Sequence, residues 1–220
     1  MMDDTHKTWT PLSRKEMAAR VAADIPEGWV VNLGIGVPTL VADMVPATRE
    51  VVFHSENGLL GMGPAPSPDA IDRWLVNAGK QHVTMVSGGS YFHHADSFAM
   101  IRGRHLDLCV LGAFEVAANG DIANWTTSAD ETAPAVGGAM DLAVGAKRLW
   151  VVMDHMTKDG RAKVVETCRF PLTARGAVTR IYTNFAEFDV NADGLHLRHV
   201  IDGMSLEELQ SYTEAKIIAH

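Results

Sequence analysis

A single α/β domain, with a mixed and largely parallel sheet flanked by helices, is what this 220-residue sequence predicts. Three observations carry the prediction. Short apolar runs at 29–33, 107–111 and 148–153 alternate with stretches of helical apolar spacing, the pattern of strands buried on both faces. Glycine clusters follow three of the strand runs, at Gly34/Gly36, Gly58/Gly61/Gly63 and Gly88/Gly89, where sheets of this class present their ligands. No internal repeat, low-complexity tract or linker divides the chain, so residues 1–220 are expected to form one domain, with a short flexible segment over 1–10.

The elements follow in order. Ser13-Arg-Lys-Glu16 is a capping box, with the Ser hydroxyl accepting from the Glu16 amide while Glu16 reaches back. Met17, Ala18, Val21 and Ala22 then recur at helical spacing, and Pro26 with Gly28 ends that helix. Residues 29–33 read as a buried strand running into Gly34-Ile-Gly36-Val-Pro38. Proline suits the first turn of a helix, so 39–44 should be helical. A strand at 50–54 leads to Ser55-Glu-Asn-Gly58. Residues 83–86 lead into Ser87-Gly-Gly-Ser90 and then a helix from 91 to 102. A strand at 107–111 ends at Gly112, and Val136-Gly-Gly138 precedes a helix at 139–146 and a strand at 148–153. Residues 187–190 and 195–199 pair as a hairpin around Asn191-Ala-Asp-Gly194. A second capping pattern, Ser205-Leu-Glu-Glu208, opens a last short helix.

Charge and composition exclude several roles. With 19 basic against 27 acidic residues the chain carries a net −8, the wrong sign for a nucleic-acid footprint or a polybasic membrane anchor. No apolar stretch reaches a membrane span, since the best candidate, 142–153, is broken by Lys147 and Arg148. The opening Met-Met-Asp-Asp-Thr-His is unlike a signal peptide. Two cysteines make neither a disulfide framework nor a four-cysteine zinc site. A cytoplasmic enzyme or enzyme subunit is expected.

Glu56 is the most informative position. A carboxylate at the end of an apolar strand, with Gly58, Gly61 and Gly63 close behind, either caps a tight turn or faces a ligand that needs close backbone approach. Gly34-Ile-Gly36 lacks the third glycine and the distant acid of a dinucleotide fingerprint, which leaves a helix N-terminus able to meet an oxyanion. His93-His94-Ala-Asp96 lacks metal-ligand spacing, so no metal site is expected. Ser55 has Phe53 where a nucleophile elbow needs glycine, and Cys109 sits mid-strand as a hydrophobe.

The run Ser55-Glu-Asn-Gly-Leu-Leu-Gly-Met-Gly63 resembles the active-site signature of family I coenzyme A transferases, in the form of the beta (B) subunit. Further blocks are similar in the same order: Val31-Asn-Leu-Gly-Ile-Gly-Val-Pro-Thr39, Asn77-Ala-Gly-Lys80, residues 95–102, Gly120-Asp-Ile-Ala-Asn-Trp125 and Gly137-Gly-Ala-Met-Asp-Leu142. Together they cover roughly residues 13 to 200. Phe92-His-His-Ala-Asp96 and Pro134-Ala-Val-Gly-Gly138 most resemble the members that act on 3-oxoadipate; members that act on acetoacetate or acetate are the alternative. The resemblance implies the family's CoA-transferase/isomerase-like fold. It implies ping-pong transfer from succinyl-CoA through a glutamyl-CoA thioester on Glu56, with CoA thioesters as substrates and no resident cofactor. Asn32, Gly34, Gly36, Asn57 and Gly58 would support the oxyanions, and Gly137 and Gly138 would contact CoA. For the distal carboxylate of a 3-oxo acid such as 3-oxoadipate, His93 or His94 is the candidate donor, with Arg102 and Arg104 behind them; packing or capping of a helix is the other reading of the histidines. The first strand comes too early for a fused alpha half. A separate alpha subunit is therefore expected, in an α2β2 or larger assembly, as the source of basic groups for CoA.

Overall fold

The computed structural model describes residues 8–128 and 136–219. The chain enters through α1 (Arg14–Asp24), where the Ser13 hydroxyl accepts from the Glu16 amide and the Glu16 carboxylate accepts from the Ser13 amide. β1 (Val30–Leu33) runs into a 3-10 turn at Val37–Leu40, with Pro38 in its first turn, and on into α2 (Val41–Met44). β2 (Val52–Ser55), β3 (Leu59–Met62), β4 (Met85–Tyr91), α3 (His94–Arg102), β5 (Leu108–Leu111), β6 (Glu115–Ala117) and β7 (Ile122–Ala123) follow. Then come α4 (Ala139–Gly145), β8 (Leu149–Met153), β9 (Val164–Val165), β10 (Val178–Thr183), β11 (Ala186–Asn191), β12 (Gly194–Val200), α5 (Leu206–Ser211) and β13 (Ile217–Ile218).

A ten-stranded sheet runs in the order β13-β12-β11-β10-β8-β5-β1-β2-β3-β4, beside a small sheet β7-β6-β9. The central strands from β10 to β2 pair in parallel. Antiparallel pairs extend the sheet beyond them on either side. Alternation along each strand sorts the side chains into two cores. Leu108, Val110, Trp150 and Val152 join Met17 and Val21 of α1 on one face, while Cys109, Leu111, Leu149 and Val151 join Ile101 of α3 and Leu142 of α4 on the other. Full burial of a Leu, Val or Ile contributes roughly 1.5–3 kcal/mol. An exposed ion pair such as Lys147–Asp107 contributes about 1 kcal/mol at most, so the two apolar cores hold the layers together.

The molecule departs from the sequence expectations in three places. Ser87-Gly-Gly-Ser90 lies within β4, and α3 begins only at His94, with His93 as its N-cap. Gly61 of β3 and Gly89 of β4 face each other so closely that a Cβ on Gly61 would sit 2.9 Å from the Gly89 Cα. Those glycines serve strand-to-strand contact, so of the three clusters it is Gly34/Gly36 and Gly58 that follow the ends of strands. Trp9 is 7% exposed and packs edge-on against Phe185 and Tyr212, with ring centroids 5.1 and 6.0 Å away. Packing therefore starts inside the segment 1–10 that was expected to be flexible; residues 1–7 lie outside the described residues. Finally, β3, β6, β7, β9, β10 and β13 add strands that the sequence reading did not anticipate. β6, β7 and β9 are only two or three residues long, too short to show a period.

Candidate active site

The carboxyl ends of β1, β2, β5 and β8 open onto a cleft of about 640 Å³, and the first residue after β2 is Glu56. Its carboxylate lines that cleft. Partial burial raises the carboxyl pKa above the usual 4.5, and the charge of nearby His94 works against that rise. The turn carrying Glu56 is held by Gly58, at φ 110, whose N–H donates to the Ser55 carbonyl at 3.0 Å. A Cβ on Gly58 would collide with the Phe92 carbonyl, and the Phe92 N–H donates to the Gly58 carbonyl at 3.1 Å. The start of α4 reaches the carboxylate from the other side. A Cβ on Gly138 would lie 2.5 Å from Glu56 Oε2 and 2.8 Å from the Phe98 ring, so only glycine leaves Glu56 its seat.

Behind Glu56 lies a buried polar chain. Asn32, His54 and Cys109 are register neighbours on β1, β2 and β5, and all three project toward α3. Asn32 Nδ2 donates to His54 Nδ1 at 3.0 Å and lies 3.2 Å from the His54 carbonyl. With Nδ1 accepting, the proton of the neutral ring sits on Nε2 and is donated to Ser97 Oγ, 2.9 Å away. Ser97 Oγ in turn lies 3.5 Å from the Ser55 carbonyl, the residue before Glu56. Cys109 Sγ faces Asn32 Oδ1 at 3.8 Å. Burial drives the His54 pKa down to about 4, so the ring is neutral at pH 7 and serves as a fixed connector.

The fold separates the residues singled out from the sequence clearly. Asn32, Gly34, Gly36, Glu56, Gly137 and Gly138 line the one cleft. Within it, the Asn32 amide is committed to His54, and the Gly34 N–H donates to the Val110 carbonyl at 2.8 Å. Gly36, at φ 93, uses its carbonyl to cap Thr39, and its N–H has no partner among the described residues. Asn57 points away, donating to the Val76 carbonyl at 2.8 Å. His93 caps α3, its Nδ1 accepting from the Ala95 amide at 3.1 Å, whereas His94 packs on Phe98 within reach of the Glu56 charge. Arg102 is bound in bidentate fashion to Asp141 of α4, at 2.8 and 3.1 Å, and does not line the cleft; neither does Arg104. Pro134 and Ala135 lie outside the described residues.

Sequence reasoning passed over His54, Ser97 and Lys163. A histidine inside an apolar strand was a readable signal for the first. Nothing local marks the others. Lys163 lines the cleft near Asp154, and burial lowers its ammonium pKa from the usual 10.5 while the Asp154 charge opposes the change. Among the described residues no three His, Cys, Asp or Glu side chains converge as a metal site, and no helix is long and apolar enough to cross a membrane.

Comparison with known proteins aligns with this geometry. The profile of the family described as Coenzyme A transferase matches residues 14–211. The B subunit of the 3-oxoadipate CoA-transferase from Pseudomonas putida is 56% identical over 207 residues, covering 94% of this chain and 97% of that protein. The B subunit of a probable succinyl-CoA:3-ketoacid coenzyme A transferase from Bacillus subtilis is 48% identical, covering 92% of this chain and 94% of its own length. Among solved structures, an acyl-CoA transferase from Escherichia coli O157:H7 superposes with a TM-score of 0.73 at 19% identity, covering all of this chain but only 43% of that longer one. Glutaconate coenzyme A-transferase from Acidaminococcus fermentans gives 0.69 at 16% identity, covering 96% of this chain and 90% of that one. Both structural likenesses concern the fold.

Proposed function

The chain belongs to the coenzyme A transferase family, and we propose that, joined to a separate alpha-type subunit, it moves CoA from succinyl-CoA to 3-oxoadipate through Glu56. The observation that carries the reading is the Glu56 carboxylate, half-buried at the wall of a strand-end cleft and seated against Gly138. The Glu56 carboxylate attacks the thioester carbonyl, giving a mixed anhydride and free CoA thiolate. The thiolate attacks the glutamyl carbonyl, forming glutamyl-CoA as succinate departs. The 3-oxoadipate carboxylate then repeats the sequence in reverse, ending as 3-oxoadipyl-CoA with the glutamate restored.

A carboxylate is a weak nucleophile, so this route depends on positioning and on donors for each tetrahedral oxyanion. One such donor is worth about 2.7–4 kcal/mol. The Gly36 N–H supports that role, since its hydrogen is uncommitted among the described residues at the cleft wall. Gly137 and Gly138 let the pantetheine arm approach the backbone. The choice of 3-oxoadipate rests on the Pseudomonas relative, whose name carries that acid.

Exposed apolar side chains support the alpha-type partner: Ile35 at the cleft, 71% exposed, and Met140 and Val144 of α4, 50% and 62% exposed. An α2β2 or larger assembly in the cytoplasm is the expected working form. The test is an exchange assay on the complex, comparing kcat/KM for 3-oxoadipate and acetoacetate with succinyl-CoA as donor. Glu56→Ala should abolish transfer with assembly intact, and surviving activity would remove Glu56 as nucleophile. Preference for acetoacetate would keep the chemistry and overturn the acceptor.

A further inference from the structure

Lys163 is a half-buried cation of the cleft that the reaction as written leaves without a task. It stands just before β9, and its N–H donates to the His155 carbonyl at 3.0 Å, which fixes it two residues past the end of β8. Glu56 stands just past the end of β2. The sheet order places β8 and β2 three strands apart, about 14 Å at roughly 4.8 Å per step, and both residues line the same cleft. A lysine stem is long enough to cover part of that distance. Among the described residues its ammonium has no hydrogen bond and no ion pair, although Asp154 is near enough for its charge to be felt. A partly desolvated ammonium without a partner is held less favourably than one in open water, and an anion entering the cleft would relieve it. Arg14, the other cation lining the cleft, is exposed, so water and salt weaken its pull.

We propose that Lys163 binds the distal carboxylate of a dicarboxylic acyl group whose other end reacts at Glu56. The inference rests on the CoA-transferase reading above. Succinyl and 3-oxoadipyl groups each keep one free carboxylate after the other enters a thioester, whereas an acetoacetyl group keeps none. The two chains differ in length, and a point charge on a flexible four-carbon stem follows both better than a rigid fork would. Lys163 therefore selects dicarboxylic acids in both halves of the ping-pong cycle.

The test compares the wild-type complex with Lys163→Met and Lys163→Arg. Labelled succinate exchanging into succinyl-CoA, and labelled acetoacetate exchanging into acetoacetyl-CoA, report the two acid classes separately. Lys163→Met should raise KM for succinate and 3-oxoadipate ~30-fold, about 2 kcal/mol, with kcat and acetoacetate exchange nearly unchanged. Lys163→Arg should recover most of the loss. Equal losses for all three acids, or no loss, would overturn the proposal. Calorimetric titration of the complex with succinate alone separates it from the parent reading. A wild-type complex that moves no CoA, yet binds succinate more tightly than Lys163→Met, would overturn the transfer reading and uphold the lysine. Equal succinate binding by both would overturn the lysine alone.

Discussion

At the scale of single residues, Glu56 and Gly138 act as a pair from distant parts of the chain. The Gly138 backbone has φ −84, a conformation any residue adopts, so its glycine answers to crowding by Glu56 and Phe98. Gly138→Ala should force the carboxylate aside and lower kcat about 100-fold, the scale expected of an ångström misplacement, with little change in thermal stability. Steady-state kinetics and a melting curve on the complex decide this, and an unchanged kcat would show that Glu56 does not need that seat. Glycine's two uses also explain what the sequence could show here. Gly58 at φ 110 answers to its own turn, which is legible locally, as well as to the Phe92 carbonyl, whereas Gly138 answers to crowding alone, in part from a residue 82 positions away.

At the scale of elements, the Asn32–His54–Ser97 chain ties β1 and β2 to α3 directly behind Glu56. Ser97→Ala would leave the His54 Nε2–H buried without an acceptor, which costs about 1–3 kcal/mol. The double variant His54→Phe with Ser97→Ala removes donor and acceptor together and should cost less than the sum of the single changes. Urea unfolding measures both, and additive losses would refute the hydrogen bond. The Arg102–Asp141 pair joins α3 to α4 more visibly, yet with the arginine side chain 65% exposed water and salt screen it and it adds little. The sequence could offer Arg102 as a substrate cation because its partner lies on another helix.

For the whole molecule, two buried neutral histidines set the acid limit of folding. His54 titrates at about 4 and His155, held between Thr183 and Thr213 at 2.9 Å each, at about 3, both because burial disfavours the charged ring. In the unfolded chain both would titrate near 6.5. Below that value the unfolded state takes up protons that the folded state refuses, so stability is present above pH 6.5 and lost as pH falls toward 4. The slope approaches roughly 3 kcal/mol per pH unit for two such groups. Glu56 runs the other way, since its raised pKa favours the folded state on the acid side, and offsets a part. Unfolding free energies at pH 7, 6 and 5 test this, and a flat profile would contradict neutral burial of the histidines.

The α/β class, the parallel centre of the sheet, both capping boxes, the 187–199 hairpin and Glu56 were all legible because each rests on residues adjacent along the chain. A cap needs three residues, a strand face needs period two, and a turn glycine answers to its own φ. Ser87-Gly-Gly-Ser90 misled for the same reason, since its place in β4 is set by the facing Gly61 rather than by its own composition. The committed Asn32 amide, Arg102 as a tie to Asp141 and Lys163 on the same cleft as Glu56 all depend on how the strands and helices are arranged. That arrangement brings Asn32 to His54 and Arg102 to Asp141, 22 and 39 positions apart, within bonding distance, and sets Lys163 and Glu56 on one cleft, and no local pattern encodes which of them will meet.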